Sequence, residues 1–570
     1  MTKPWRNFAI ILFLGAVLFG GMAGDQLLAV SGKDTQAQLR LYTELLEKAH
    51  ENYGAEVTYK DLVYASIHGM LRTLDPHTSF LTPDDYAEMR ERQQESFFGL
   101  GILVSVRDGD LTVISPIEGT PAWRMGLRAG DVISNIEGEP TDTMTLDEAV
   151  DKLKGPKGTQ VNVTIRRRGL EEPLDMDITR AEIPQNSVRY AYMMEPGTGY
   201  IRLTDFTRST AREMKQALDD LKGQGMERLL LDLRSNGGGL LDQTVLVSGL
   251  FVPPNARIVE TRGRLPESYQ TFYAEDGFEP LEMPLVVLVN NGTASAAEIL
   301  AGAIQDHDMG VVAGTSTWGK GLVQTVYNLS YGSGVALTTA KYYTPSGRLI
   351  QRDYSSYYDY YTHFGEPETD DGNSDEPSDE GSPAVILAPG DAPPEIQVAP
   401  ENEIFYTDLG REVYGGGGIQ PDVEIELPDG PSILTALFSR NAFFDFAVDY
   451  NARQGIDSTD WTPPADLLDR FRNWVLAEEI VAEEDLAEML EDEEAREFTV
   501  RQIHADIFNS AFGTQEANRV MADGDLQIQE ALELFDEAEA QLSSRQELNG
   551  DAQVAENQER SDPAAADGGI

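Results

Sequence analysis

Apolar residues recur at different spacings along the chain, and the spacing changes at definable points. Between residues 36 and 92 they follow a helical period, as in the pair Leu41 and Leu45. From about residue 97, short runs alternate apolar with polar positions, which predicts the β-strands of a small domain. From residue 199, buried-type strands such as 285–289 alternate with helical stretches such as 210–222. This last pattern predicts an α/β layer fold with a largely parallel sheet.

Two further changes in composition and residue pattern divide the rest of the chain. Residues 366–380 carry eight acidic residues and no basic one, with Gly, Pro and Ser between them, which predicts a solvated insert without chemistry. From about residue 431 the pattern is helical again and strongly acidic. Leu532, Phe535 and Ala538 lie on one helical stripe, and the last twenty residues carry no such pattern.

These changes predict seven segments, which a chain of 570 residues is long enough to hold. They are a signal peptide or membrane anchor (1–30), a helical region (35–95), a small β-rich domain (96–181), an α/β core in two pieces (190–354 and 401–430), an acidic insert (355–400), a helical region (431–548) and a disordered tail (549–570).

The N-terminus is basic and apolar, unlike the acidic remainder of the chain. Lys3 and Arg6 precede an apolar run over residues 8–23, the pattern of a secretory signal or an uncleaved anchor. Basic residues on the N-terminal side place that end in the cytoplasm. We therefore expect an exported protein, periplasmic or extracytoplasmic, with contact to the cytoplasmic membrane through this segment.

Composition removes several classes of function. The formal net charge of −53 repels nucleic acid, so we expect no DNA or RNA partner. The chain has no Cys, which excludes disulfides, cysteine nucleophiles and thiolate metal sites. We expect no cofactor and no metal, and the sequence leaves self-association into a homo-oligomer open.

A first candidate for chemistry is the glycine-rich turn over residues 232–239. Gly237, Gly238 and Gly239 follow a buried strand, so backbone N–H groups can face a cavity without obstruction by Cβ atoms. Asp232 and Arg234 precede them, and we expect these two to form a structural ion pair that pins the loop.

A second candidate is the turn around Ser295. There a buried strand turns through Gly292 into a helix that opens at the serine. The amide of Ala296 lies in the first helical turn, where N–H groups have no intrahelical partner. A hydroxyl beside a free amide suits acyl transfer, because the amide stabilises a developing oxyanion. A lone serine at this position is usually an ordinary helix cap. A catalytic role therefore requires a general base that can activate the hydroxyl.

Lysine is a better candidate for that base than histidine. The chain has six His, and His307, at the far end of the helix opened by Ser295, lies about three turns away. Lys320 stands between Gly319 and Gly321 in apolar surroundings, where desolvation would lower its pKa. Gln324, four residues later, is placed to orient the amine, and serine–lysine pairs are a recognised variant of the catalytic triad.

Several spaced motifs over roughly residues 35–430 resemble the carboxyl-terminal processing, or tail-specific, protease family. The resemblance implies a crotonase-like α/β core with an inserted PDZ domain, and a serine endopeptidase with Ser295, Lys320 and Gln324 at its site. It also implies one oxyanion donor in the glycine loop, without saying whether Gly237 or Gly238 supplies it. The motifs are 292–299, Gly319-Lys320-Gly321 with the lysine 25 residues after Ser295, 232–239, Asp75-Pro76-His77, 343–348 and 418–422.

The small domain has its own candidate site. Gly99, Leu100, Gly101 and Ile102 form a glycine-bracketed loop before a strand, where N–H groups suit a terminal carboxylate and the strand offers an edge for pairing. The partners we expect are therefore proteins with free apolar C-termini. We expect the acidic insert and the C-terminal helices to lie away from the site.

Two rival functions come from other classes. A PDZ scaffold without catalysis needs only the loop at residues 99–102 and leaves the spacing of Ser295, Lys320 and Gln324 unexplained. A crotonase-type acyl-CoA enzyme shares the sheet and the oxyanion loop, but needs neither the lysine nor a peptide-binding domain. We take His77 for a turn residue rather than a site.

Overall fold

The computed structural model describes residues 35–93, 96–275, 280–352, 403–427 and 431–561, with side chains up to residue 548. The apolar run at 8–23, the acidic insert at 355–400 and residues 562–570 of the predicted tail lie outside these residues. Residues 549–561, which the sequence predicts to be part of a disordered tail, instead continue the last helix of the chain. Within the described ranges, no helix combines the length and apolar composition needed to span a membrane. The described residues divide into two compact units: residues 35–82 with 326–337, and the remainder.

The first unit contains helix α1 (residues 35–52), α2 (Tyr59–Arg72) and strand β1 (Ser79–Leu81). Thr58 caps α2 with a reciprocal capping box to Asp61. In the turn before β1, the Asp75 carboxylate accepts hydrogen bonds from the backbone N–H groups of His77 and Thr78. His77 is therefore part of a turn, as expected. β1 pairs antiparallel with residues 334–336.

The second unit begins with α3 (Pro83–Arg92) and the small domain. An antiparallel six-stranded sheet in the order β3-β4-β5-β7-β8, with β6 beside β5, encloses a core that includes Val113, Ile133 and Val163. β2 and β9 pair with each other where the chain enters and leaves the domain. The elements are β2 (Ser96–Gly99), β3 (Ile102–Arg107), β4 (Asp110–Pro116), α4 (Pro121–Arg124), β5 (Val132–Ile136), β6 (Glu139–Pro140), α5 (Leu146–Leu153), β7 (Gln160–Arg166), β8 (Leu174–Thr179) and β9 (Ala181–Pro184).

The core contains a six-stranded sheet in the order β10-β11-β12-β15-β16-β21. β10 and β11 are antiparallel, and every later pair is parallel. The sheet therefore has the largely parallel character that the alternation of strands and helices predicts. Its strands are β10 (Val188–Glu195), β11 (Thr198–Leu203), β12 (Arg228–Asp232), β15 (Leu285–Val289), β16 (Val311–Gly314) and β21 (Val423–Glu424).

Helices cover both faces of this sheet. On one face, α6 (Thr210–Gly223), α7 (Leu241–Ser248) and α8 (Ala296–Asp306) enclose a cluster that includes Leu231, Val287 and Leu300. On the other face, Leu230 and Val286 pack against apolar side chains of the C-terminal helices. The parallel strands are buried on both faces, which is why they read as continuous apolar runs in the sequence.

A second sheet carries part of the candidate site. β13 (Arg257–Gly263) pairs antiparallel with β14 (Gln270–Tyr273) and with the end of β18 (Gly334–Tyr343), and β17 (Leu322–Asn328) pairs with β18. A separate ribbon is formed by β19 (Ile404–Tyr406) and β20 (Glu412–Tyr414). Lys320 lies in the turn just before β17.

The C-terminal region is helical, as predicted, and packs against both the small domain and the sheet of the core. The guanidinium of Arg107 in the small domain lies 4.0 Å from the ring of Phe444, and Val448 joins Ala129 in a shared apolar cluster. The small domain is therefore docked on α10. The helices are α9 (Ser432–Ser439), α10 (Ala442–Gln454), α11 (Leu467–Ala477), α12 (Glu483–Met489), α13 (Glu493–Phe512), α14 (Thr514–Ala522), α15 (Leu526–Glu533) and α16 (Phe535–Ser561).

Candidate active site

Ser295 sits at the junction between β15 and α8 in a conformation that serine rarely adopts. Its φ of 56° and ψ of −115° place it just outside the helix, which begins at the next residue, Ala296. A non-glycine residue at positive φ carries backbone strain, and the surroundings must hold it there. A sharp strand-to-helix turn of this kind presents the nucleophilic serine of α/β-hydrolases.

Lys320 and Gln324 are in direct contact. The Lys320 Nζ donates to Gln324 Oε1 at 2.9 Å, and Lys320 is half-buried. Gly319 adopts a φ of +84°, and a Cβ atom there would lie 3.0 Å from the Gly418 nitrogen. This turn therefore requires glycine before the lysine, and it brings the motif at residues 418–422 against the lysine turn.

The Ser295 turn and the Lys320 turn are joined through their backbones. The Trp318 N–H donates to the Thr293 carbonyl at 2.9 Å, and the Glu298 carboxylate accepts from the N–H groups of both Ser295 and Lys320. Glu298 has no exposed surface. Burial raises its pKa, while its hydrogen bonds act in the opposite direction.

The glycine loop closes on the same turn. A Cβ atom on Gly238 would lie 2.8 Å from the Ala296 nitrogen, so a side chain there would collide with the Ser295 turn. The Gly238 N–H donates to Asn236 Oδ1 at 2.9 Å, and the Ala294 N–H donates to the Asn236 carbonyl, also at 2.9 Å. Within the described part of the chain, the amides of Gly237 and Ala296 donate no hydrogen bond, which leaves both available to an oxyanion.

The Asp232–Arg234 pair expected from the sequence is present and extends further. Arg234 donates Nη2–H to Asp232 Oδ2 at 2.8 Å, Arg202 donates to the same oxygen at 2.7 Å, and Tyr200 donates its hydroxyl at 2.9 Å. Burial of Asp232 opposes ionisation, but the guanidinium groups of Arg234 and Arg202 hold its pKa below the ordinary value.

The remaining sequence candidates fall into two places. His307 ends α8, where its ring contacts Asp408 Oδ2 at 2.8 Å and the Arg257 carbonyl at 2.7 Å, so it is engaged away from Ser295. The loop of Gly99, Leu100, Gly101 and Ile102 lies in the small domain, before β3 at the edge of its sheet. Among the described residues, the amides of Leu100 and Gly101 donate no hydrogen bond.

Comparisons with known proteins agree with this architecture. Residues 197–355 match the model of peptidase family S41, and residues 112–167 match a PDZ domain model. The carboxy-terminal-processing protease of Bartonella bacilliformis is 38% identical over 355 residues, which cover 62% of this chain and 81% of that protein.

The chain belongs to the carboxyl-terminal processing protease family. It is accordingly a serine peptidase of family S41 with a PDZ domain, and the fold class predicted from the sequence is confirmed. The carboxyl-terminal-processing protease of Synechocystis is 39% identical, covering 51% of this chain and 69% of that protein. The carboxy-terminal processing protease CtpA of Bacillus subtilis is 36% identical, covering 54% of this chain and 66% of that protein.

One expectation about this protease is wrong. The C-terminal helices do not lie away from the site, because Arg234 Nη1 donates to Asp525 Oδ1 and to Gln527 Oε1, both at 3.0 Å. Asp525 also caps α15 by accepting from the Ile528 N–H. The apolar stripe of Leu532, Phe535 and Ala538 predicted that one helix face is buried. It did not indicate which surface of the protein that face packs against.

Sequence reasoning also missed Glu298 and Tyr342. The Tyr342 hydroxyl lies 3.0 Å from the Ser295 carbonyl and 2.6 Å from the Lys320 carbonyl. The signal for Glu298 was available, since Ser295-Ala-Ala-Glu298 has the spacing of a helix capping box. No local pattern announces Tyr342, which reaches the site from β18.

Proposed function

We propose that this S41 peptidase is an endopeptidase in which Ser295 is the nucleophile, Lys320 the general base and Gln324 the residue that orients the base. The observation that carries the proposal is the 2.9 Å hydrogen bond from Lys320 Nζ to Gln324 Oε1, in a turn that shares the Glu298 carboxylate with the Ser295 turn. An amine held in this way keeps a lone pair when neutral, and can accept the hydroxyl proton.

The reaction then has two halves. Ser295 Oγ attacks the peptide carbonyl as Lys320 takes its proton, and the amine product leaves with that proton as the acyl-enzyme forms. Water then gives its proton to Lys320, attacks the ester and releases the new C-terminus with Ser295 restored. Each half passes through an oxyanion, for which the amides of Ala296 and Gly237 are the donors we favour over Gly238, whose amide binds Asn236.

We further propose that the PDZ domain selects substrates by their C-termini. The unengaged amides of Leu100 and Gly101 suit a carboxylate, and β3 offers an edge strand for the residues before it. Ile102 and Val104 of β3 pack at the edge of an apolar core, which favours an apolar tail. The large negative charge of the chain disfavours acidic tails most.

Export is also part of the proposal. Lys3, Arg6 and the apolar run over residues 8–23 support a catalytic part on the outer side of the cytoplasmic membrane. A reporter fused after Ser31 should be active only outside the cytoplasm. Activity of that fusion only inside the cytoplasm would contradict export.

The chemistry is tested by Ser295→Ala and Lys320→Ala in a peptide-cleavage assay. Because the residues act as a unit, each variant should lose activity by a factor of about 10³ or more while circular dichroism remains native. Activity of the unmodified protein should rise with pH as the amine loses its proton, and should not respond to metal chelators. Normal turnover by folded Lys320→Ala would exclude the lysine base.

A fluorophosphonate probe separates the rival functions. A peptidase should be labelled at Ser295 and should cleave peptides. A PDZ scaffold would bind peptides without labelling or cleavage, and a crotonase-type enzyme would turn over acyl-CoA but not peptides. Labelling abolished by Ser295→Ala, together with peptide cleavage, is the result expected here.

Tail recognition is tested with one peptide made with a free and with an amidated C-terminus. We expect amidation to weaken binding, because it removes the negatively charged carboxylate that accepts hydrogen bonds from the loop amides. A fall in turnover at saturation as well would show that the PDZ domain also shifts the core between two states. Unchanged cleavage of the amidated peptide would exclude recognition by this loop.

A further inference from the structure

Two buried side chains outside the proposed catalytic set contact the backbones of both Ser295 and Lys320. Glu298 has no exposed surface, and Tyr342 is 1% exposed. One belongs to the nucleophile helix and the other to β18, so they approach the pair from different elements. Neither side chain is used in the reaction sequence above.

The Glu298 carboxylate binds both turns, and one of its oxygens joins them directly. Oε2 accepts from the Ser295 N–H at 2.6 Å and from the Lys320 N–H at 3.0 Å. Oε1 accepts from the Gly319 N–H and from Thr317 Oγ1, both at 2.6 Å. Every one of these partners is a neutral donor, so the carboxylate acts as a shared acceptor rather than as a counter-ion.

Tyr342 repeats the connection through the carbonyl groups. Its hydroxyl lies 3.0 Å from the Ser295 oxygen and 2.6 Å from the Lys320 oxygen, and its single proton is shared between them. Its own N–H donates to the Gly321 carbonyl at 3.0 Å, which fixes β18 beside the lysine turn. The peptide groups on both sides of each catalytic residue are thereby held.

We propose that Glu298 and Tyr342 are positioning residues that set the separation between the Ser295 hydroxyl and the Lys320 amine. The inference rests on the proposed serine–lysine mechanism. Ser295 is held at a φ of 56°, a conformation that persists only where neighbouring groups over-determine it. A displacement of about 1 Å in a reacting pair lowers the rate by about 100-fold, so loss of one connection should reduce turnover more than substrate binding.

A purely structural role would give a different result. Removing a buried hydroxyl from any part of the core destabilises the fold and lowers the amount of native enzyme. It does not lower kcat of the molecules that remain folded. The separation of kcat from KM and from melting temperature therefore distinguishes positioning from general stabilisation.

The first test is Tyr342→Phe, with Tyr192→Phe as the matched control. Tyr192 is a buried tyrosine that donates to Asn518 Oδ1 at 3.1 Å and, within the described ranges, makes no hydrogen bond to Ser295, Lys320 or the glycine loop. We expect kcat of Tyr342→Phe to fall by about 10-fold or more with KM within about twofold of the unmodified protein, and similar melting-temperature shifts in both variants. A kcat for Tyr342→Phe equal to that of Tyr192→Phe would overturn the proposal.

The second test is Glu298→Gln, which turns one acceptor oxygen into a donor facing other donors. We expect kcat and the rate of fluorophosphonate labelling to fall together by about 100-fold. A folded Glu298→Gln variant with normal labelling would contradict the proposal, and if this variant does not fold, Tyr342→Phe decides alone. If Lys320→Ala is inactive and Tyr342→Phe is fully active, only the positioning role is refuted. If Lys320→Ala is active, the serine–lysine mechanism itself is refuted.

Discussion

Two loops of the protease core are each organised around a buried carboxylate, and the two carboxylates are stabilised differently. Asp232 anchors the glycine loop and accepts from the guanidinium groups of Arg202 and Arg234. Glu298 anchors the Ser295 turn and accepts only from neutral groups, three backbone N–H groups and one hydroxyl. Neither carboxylate has exposed surface.

The difference appears in the direction of each pKa. Although burial works against the charge, the two arginines hold the pKa of Asp232 below its ordinary value. For Glu298, burial is the largest influence and raises the pKa in spite of the hydrogen bonds. A buried carboxylate thus remains firmly ionised beside fixed positive charge, whereas neutral donors alone offset less of the desolvation.

The arrangement also separates the two roles. An ion pair at Asp232 stabilises a loop whose amides must stay in place, but it puts strong charge near the sheet edge. Neutral donors at Glu298 connect the Ser295 turn to the Lys320 turn through their backbone N–H groups.

The largest expected effect is that of Asp232→Asn. Removing the charge leaves Arg202 and Arg234 without their shared carboxylate, and breaking a buried ion pair from one side costs about 3–5 kcal/mol of unfolding free energy. Urea denaturation measures the loss. The exposed pair between Arg166 and Asp110 provides the control, since Asp110→Asn should cost about 1 kcal/mol or less. Equal losses in the two variants would remove the distinction between a buried and an exposed ion pair.

Asp506→Asn extends the comparison to a buried carboxyl group that accepts fewer hydrogen bonds. Asp506 accepts one hydrogen bond, from Gln502 Nε2, and no guanidinium donates to it within the described residues. Burial raises its pKa from 3.8 to about 6. The folded state therefore keeps a proton that the unfolded chain loses between about pH 4 and 6, and stability falls as pH rises through that window.

The Asn variant should consequently be more stable than the unmodified protein at pH 8 by up to about 3 kcal/mol, and equally stable at pH 4. Denaturation followed by tryptophan fluorescence at pH 4, 6 and 8 measures this, because Trp474 packs against Phe446 in the same helical region. A pH-independent difference would show that burial does not control the protonation of Asp506.

The smallest expected effect is that of Asp525→Asn. Asparagine retains the cap on α15 through the Ile528 N–H, while the attraction to Arg234 is lost. Because the Asp525 side chain is 27% exposed and Arg234 keeps Asp232, we expect a loss of about 1 kcal/mol or less. Thermal unfolding measures it. A loss as large as that of Asp232→Asn would mean that the C-terminal helices, rather than Asp232, hold the glycine loop.

The sequence was most informative where function depends on neighbours along the chain. The turn into α8 at Ser295, the four-residue step from Lys320 to Gln324 and the glycine loop were all placed from local patterns. The φ of 56° at Ser295 could not be predicted, because a helical period carries no information about the backbone of the residue before the helix. That conformation depends on groups, such as Tyr342, that are distant in the sequence.

The C-terminal helices show the opposite case. Their apolar stripe predicted burial, but an amphipathic helix can bury its face against many surfaces. In the structure, Phe535 and Ala538 cover the sheet face formed by Leu230 and Val286. That placement brings Asp525 and Gln527 to Arg234, which the sequence did not suggest.

By itself, the sequence determined the family, the α/β core with its PDZ domain, and which residues carry candidate chemistry, because these depend on periodicity and short spacings. Only the tertiary structure decided that Glu298 and Tyr342 join Ser295 to Lys320, and that Asp525 contacts the glycine loop. Hydrogen bonds between residues 22 to 291 positions apart depend on strand order and helix docking. Those arise from burial of whole faces, which no local pattern specifies.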